Sequence, residues 1–131
     1  MSIGSSLERF DPESFLSLAR RLNRPDAVEA DLRTICGRAY YAVFLIADAQ
    51  LKMTSPRRRL RPLHSGPHER VIRQASQRNP SVGSMMERLR RLRNDADYVD
   101  VPSGPDLSFW RLQALLAIQL AERLLPRVRR L

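Results

Sequence analysis

Leu32-Arg33-Thr34-Ile35-Cys36-Gly37-Arg38-Ala39-Tyr40-Tyr41-Ala42-Val43-Phe44-Leu45-Ile46-Ala47 is the stretch that decides the fold. Leu32, Ile35, Ala39, Ala42, Ile46 and Ala49 recur at the three-and-four spacing of one helix face. Cys36, Tyr40, Val43, Ala47 and Leu51 form a second apolar stripe beside it. A helix that avoids water over so much of its circumference is either central in a bundle or lies in a dimer interface. The element is expected to open at Pro25-Asp26 and to run to about Met53.

Shorter elements flank it. Residues 1 to 10 read as a loose tail, and residues 11 to 131 as a single domain. Asp11-Pro12-Glu13 is a helix start, with Asp11 as N-cap and Pro12 at the first helical position. Phe15, Leu18, Ala19 and Leu22 give that helix its apolar stripe, and it should end near Asn23, ahead of Pro25. Beyond the long helix, Pro56, Pro62 and Gly66 surround Arg57-Arg58-Arg59-Leu60-Arg61, an exposed basic loop. Pro67 can start a third helix carrying His68, Val71, Ile72 and Ala75, which Asn79-Pro80 breaks. A fourth helix is expected from about Ser81 through Met85, Leu89, Leu92 and Ala96 to about Asp100. Pro102-Ser103-Gly104-Pro105 is a turn, and Asp106 should cap a fifth helix whose core face is Trp110, Ala114, Leu115, Ile118, Ala121 and Leu125. Its basic end, Arg127, Arg129 and Arg130, complements the helix dipole. The pattern is an all-α antiparallel bundle of about five helices, two of them long.

Composition agrees. Hydrophobic residues make up 43% of 131, yet aromatics only 6%, so the apolar content is aliphatic and suits helices better than sheets. The net charge is +9, from 23 basic residues against 14 acidic ones, and all but one of the basic residues are arginine. Genomic codon bias explains a choice of arginine over lysine but not an excess of positive charge. The excess points to a nucleic-acid or acidic-protein partner, because guanidinium groups bind phosphate bidentately and stack on bases. The single cysteine, Cys36, excludes an internal disulfide and reads as core. With no leader and no apolar run of bilayer length, a soluble cytoplasmic protein without membrane partners is expected. No four-ligand zinc set, glycine-rich phosphate loop or Ser-His-Asp arrangement is present, so neither metal nor cofactor is expected.

The densest polar cluster is Arg91-Leu92-Arg93-Asn94-Asp95-Ala96-Asp97-Tyr98, more polar groups than solubility demands of a bundle helix. Together with Arg38-Ala39-Tyr40-Tyr41-Ala42 it resembles the signature of the HEPN domain family of small helical, often RNA-cleaving proteins. The resemblance spans roughly residues 25 to 125. In that family an Arg is followed directly by a polar residue and, about five residues on, by a His. Here Arg93 and Asn94 fill the first two places and Tyr98 stands in the third, in an Ala96-Asp97-Tyr98 form that looks like a bacterial branch of the family.

The resemblance implies a homodimer in which paired motifs act on one RNA phosphodiester without metal, Arg stabilising the developing anion and His moving the proton. It assigns Arg93, Asn94, Asp97 and Tyr98 to catalysis, with Arg38, Tyr40, Tyr41 and His68 in support, while their positive charge offers Arg57, Arg58, Arg59, Arg61 and Arg91 as RNA contacts. His68 resembles a histidine that often stands ahead of the third helix in related sequences. Two functions stay open. One is a metal-independent endoribonuclease, toxin or effector of a bacterial toxin–antitoxin or defence module, with a cognate antitoxin. The other is a non-catalytic dimer that binds or scaffolds a partner such as a nucleotidyltransferase. Tyr98 bears on the choice, because a phenol titrating near pH 10 is a poor base at neutrality where an imidazole near 6.5 is poised. Structural roles compete at each position. Arg93 and Asp97 form an ordinary i,i+4 pair, Tyr98 can cover the bundle end, Tyr40 can pack in the core, and His68 can be a surface residue at a helix start.

Overall fold

A computed structural model describes residues 10–55, 66–100 and 107–131. Within them five helices follow in order: α1 (Glu13–Leu22), α2 (Glu29–Thr54), α3 (Pro67–Arg78), α4 (Pro80–Tyr98) and α5 (Ser108–Val128). They are 10, 26, 12, 19 and 21 residues long, and no strand occurs among the described residues. The Arg57 to Arg61 run, His64, the Pro102 to Pro105 turn and the Asp106 cap lie outside the described residues, as does all of the N-terminal tail except Phe10.

The doubly apolar helix is the axis of the bundle, and α2 packs against all four other helices. Leu32, Ile35, Ala39 and Ala42 from one stripe are buried, and so is the whole of the other, Cys36, Tyr40, Val43, Ala47 and Leu51. Only the C-terminal members of the first stripe emerge, Ile46 partly and Ala49 into the exposed range. The helix starts three residues later than Pro25-Asp26 predicts. Those two residues form a turn instead: Ala27 N–H donates to the Arg24 carbonyl at 3.0 Å, and Arg111 of α5 donates to the Pro25 carbonyl at 2.8 Å. Val28 then takes the cap position, its N–H donating to the Asp31 carboxylate at 3.1 Å. At α1, Asp11 accepts from the Glu13 N–H at 3.0 Å, but Pro12, expected at the first helical position, takes the cap position and the helix opens at Glu13.

The outer helices bury single faces. Trp110, Ala114, Ile118, Ala121 and Leu125 of α5 are buried as expected, whereas Leu115, about 100° round the helix from Ala114, is 43% exposed. On α4 the buried set is Val82, Gly83, Met86, Leu89 and Ala96, so the core face extends further toward the N-terminus than expected, and Met85 and Leu92 of the expected stripe are only partly buried. Asn79 caps this helix by accepting from Val82 N–H at 3.2 Å. Its other end is fixed from α2. Arg33 donates through Nη1 to the carbonyls of Ala96 and Val99, at 3.1 and 2.9 Å, while its guanidinium lies 4.2 Å from the Trp110 ring centre. With those terminal carbonyls taken, α4 stops at Tyr98 rather than near Asp100. Among the described residues no helix is long and apolar enough to cross a membrane.

Candidate functional site

Arg90, Arg93 and Asp97 follow one another at three-and-four spacing on α4, so they share one edge of the helix. On that edge Arg93 meets Tyr41 of α2. Nη2 of Arg93 donates to the Tyr41 hydroxyl at 3.0 Å and Nη1 donates to Asn94 Oδ1 at 2.9 Å. Its Nε lies 3.0 Å from Asp97 Oδ2. That contact pairs the charges without aligning a hydrogen bond, and the buried Nε–H has no hydrogen-bond acceptor among the described residues. The side chain as a whole is 16% exposed. Its guanidinium carbon sits 5.2 Å from the Tyr41 ring centre and 5.9 Å from that of Tyr98, while Arg38 lies 5.5 Å from Tyr41 and 4.6 Å from Phe15. Tyr41 thus lies against two guanidinium groups from different helices.

Beside Tyr41 stands His68, from the first turn of α3. Its ring stacks on Phe44, with centroids 4.3 Å apart and planes at 25°, and meets Tyr41 edge-on at 5.9 Å. Its Nδ1 is 2.7 Å from the hydroxyl of Tyr40, a residue with no exposed surface. Burial pushes the Tyr40 phenol well above its usual range, so it keeps its proton at any physiological pH. Burial also lowers the His68 pKa, and the positive charges of Arg90 and Arg93 lower it further. At neutral pH the imidazole is therefore uncharged, its Nδ1 side held by Tyr40. Elsewhere on α2, burial pushes the Cys36 thiol up to about 12, which leaves it protonated and unreactive in the core.

The structure brings together Arg93, Asn94, Asp97 and Tyr41, sets Tyr40 and His68 alongside, and adds Arg38 through Tyr41. The i,i+4 pair of Arg93 and Asp97 is present, but within a wider constellation. Tyr40 packs in the core as an ordinary aromatic does and also holds His68, which is half-buried and ring-stacked rather than a free surface group. Tyr98 is 76% exposed and does not cover the bundle end. Arg91 is exposed and, two positions before Arg93, lies about 200° away round the helix, so it does not join the cluster.

Arg90, which the sequence reading passed over, is on the cluster's edge. Its spacing of three from Arg93 was the available signal. Like Arg93, Arg90 and Arg70 each have a buried Nε–H without a hydrogen-bond acceptor among the described residues. A buried donor left unpaired costs roughly 1–3 kcal/mol, more for a charged group, and at Arg93 the Asp97 carboxylate 3.0 Å away offsets part of that cost. No group of three His, Cys, Asp or Glu side chains among the described residues is placed to hold a metal ion. Neither family models, nor characterised proteins, nor solved structures give a match to this chain.

Proposed function

We propose that this protein engages RNA through phosphate groups at the Arg93 cluster, as a HEPN-like homodimer serving as the RNA-directed toxin or effector of a bacterial toxin–antitoxin or defence module. The observation that carries the reading is the posture of Arg93. Its guanidinium is fixed by Tyr41, Asn94 and Asp97 and flanked by Arg38 and Arg90. A preorganised guanidinium loses little side-chain entropy when it binds a phosphate bidentately, and neighbouring cations draw the phosphate in. The resemblance of Arg93-Asn94 and Ala96-Asp97-Tyr98 to the family motif supports the same assignment, and the net charge of +9 supports a polyanionic ligand.

The test is binding of labelled single-stranded RNA by fluorescence anisotropy across a salt series, for the native protein and Arg93→Ala. Native affinity should fall steeply with salt through counterion release, and Arg93→Ala should weaken binding about tenfold while lowering the salt slope by roughly one phosphate contact. Affinity indifferent to both salt and Arg93→Ala would refute the reading. Light-scattering mass at micromolar protein addresses the homodimer, and a monomer removes that part.

A second reading, a non-catalytic module that docks a partner protein, is favoured by α5. Phe109, Leu112 and Leu115 recur every three residues on its outer side and are 37%, 54% and 43% exposed, an apolar row of the kind that marks a protein contact. Under that reading Leu112→Glu abolishes association with the partner or second copy and leaves RNA binding intact.

A further inference from the structure

We propose that His68 is the proton-transfer residue of this site, with Tyr40 as its positioning residue, so that RNA bound at Arg93 is cleaved by a histidine from α3 rather than by a group at position 98. The inference rests on the RNA reading above and extends it from binding to reaction.

Four observations converge on the imidazole. Phe44 fixes its plane by stacking at 4.3 Å. Tyr40 fixes its rotation through the 2.7 Å contact at Nδ1, which leaves Nε2 as the nitrogen available to a ligand. Tyr41 joins it to Arg93, being 5.9 Å from His68 by ring centroids and hydrogen-bonded to Arg93 at 3.0 Å. Finally, the ring is uncharged at neutral pH, the state in which an imidazole accepts a proton. Tyr98 has none of these constraints: it is 76% exposed, with the Arg93 guanidinium 5.9 Å from its ring centre.

The step balances with RNA alone. Nε2 of His68 takes the proton of a ribose 2′-hydroxyl, and the 2′-oxygen forms a bond to the adjacent phosphorus. The bond from phosphorus to the 5′-oxygen breaks, and that oxygen takes a proton from water while His68 returns its own to solvent. The products are a 2′,3′-cyclic phosphate and a 5′-hydroxyl end, with no net consumption of water. Arg93 and Arg90 neutralise the charge that grows on the phosphoryl oxygens. In this role Nδ1–H donates to the Tyr40 oxygen both before and after the transfer, while Nε2 carries the lone pair that takes the proton.

The groups facing His68 are Tyr40, Tyr41 and Phe44 of α2 and the two guanidinium groups of Arg90 and Arg93 on α4. A single acid limb is expected, set by the imidazole. Accordingly kcat/KM should rise with pH through one midpoint below 6.5 and level off by neutrality.

The experiment uses the full chain, a labelled single-stranded RNA and its all-deoxy counterpart, with products separated by end chemistry. His68→Gln should lower kcat by at least about 100-fold and abolish the acid limb while RNA affinity holds. Tyr40→Phe should lower kcat about tenfold at unchanged KM and shift the limb, since it removes an orienting contact and not the base. Deoxy substrate should bind and remain intact. Should His68→Gln not fold, the native pH profile and the cyclic-phosphate product still decide. Native protein that binds RNA through Arg93 but does not cleave it, cleaves as fast without His68, or has a rate flat with pH overturns the proton-transfer role and leaves the binding reading standing. Failure to bind RNA at all overturns the binding reading itself.

Discussion

Gly37 and Gly83 should respond in opposite ways to the same methyl group. Both are buried helical glycines, and replacing a glycine inside a helix by alanine ordinarily gains about 1 kcal/mol through lost unfolded-state entropy and better propensity. At Gly37 a Cβ meets nothing within 4 Å, so Gly37→Ala should realise that gain. At Gly83 the Cβ would lie 2.6 Å from the Cβ of Ser76 and 2.7 Å from its Cα, and would overlap its hydroxyl oxygen. A rotamer change relieves the hydroxyl but not the Cα, so α3 and α4 must move apart. Overpacking of this kind costs about 1–3 kcal/mol, and with backbone as the obstacle the upper half of that range applies, for a net loss of about 1–2 kcal/mol after the propensity gain. At roughly 3–5 °C per kcal/mol for a domain of this size, Gly37→Ala should raise the melting temperature by about 3–5 °C and Gly83→Ala lower it by about 3–10 °C. Thermal unfolding followed by far-ultraviolet circular dichroism measures both. If Gly83→Ala proves as stabilising as Gly37→Ala, α3 and α4 do not approach each other as described here. The outcome matters for function, because the same approach of α3 to α4 sets His68 beside Arg90 and Arg93.

Tyr98, exposed and adjacent to Arg93, has the posture of a base-stacking platform, so Tyr98→Ala should weaken single-stranded RNA binding by about 1–3 kcal/mol while Tyr98→Phe leaves it unchanged; equal loss in both variants would assign the effect to the hydroxyl instead. His68 should also make folding pH-dependent. Its folded pKa lies below the unfolded value of 6.5, so the unfolded chain binds the extra proton first; stability is full above 6.5 and declines as pH falls below it. Urea midpoints for the native protein and His68→Gln over that interval measure it, and parallel curves for the two proteins would contradict the burial of the imidazole beside Arg90 and Arg93.

What the sequence disclosed was whatever depends on periodicity along one element. The double stripe of α2 identified the central helix, and the cap and proline signals at Pro67 and Asn79-Pro80 placed helix boundaries because those groups act within one turn. Boundaries set by distant partners were not legible. The late start of α2 depends on Arg111 of α5 taking the Pro25 carbonyl, and the end of α4 depends on Arg33 reaching back from α2, contacts 86 and 63 residues apart along the chain. The site divides in the same way. Arg93, Asn94 and Asp97 are neighbours on one helix and could be grouped from the sequence, whereas the contact of Arg93 with Tyr41 spans 52 residues and that of Tyr40 with His68 spans 28. Arg90 was discoverable from helical spacing alone but looked like one more basic residue in a basic helix.

The position of His68 changes what the tyrosine at 98 means. By the family resemblance Tyr98 stands where a catalytic histidine would, and a phenol is a poorer base than an imidazole, which makes that replacement look disabling. Judged by geometry, proton transfer does not require that the base and the cation share a helix, only that both reach one phosphate. Tyr41 provides the bridge, since its hydroxyl accepts from Arg93 and its ring edge meets His68. Under the proposed RNA reading, position 98 is relieved of acid–base duty, and the exposed aromatic there would hold the base of a nucleotide whose phosphate binds Arg93. The two residues would carry separable functions, Tyr98 in affinity and His68 in rate. Combining Tyr98→Ala with His68→Gln should therefore give additive free-energy losses, one in KM and one in kcat, whereas two groups sharing a single proton-transfer role would show strong non-additivity.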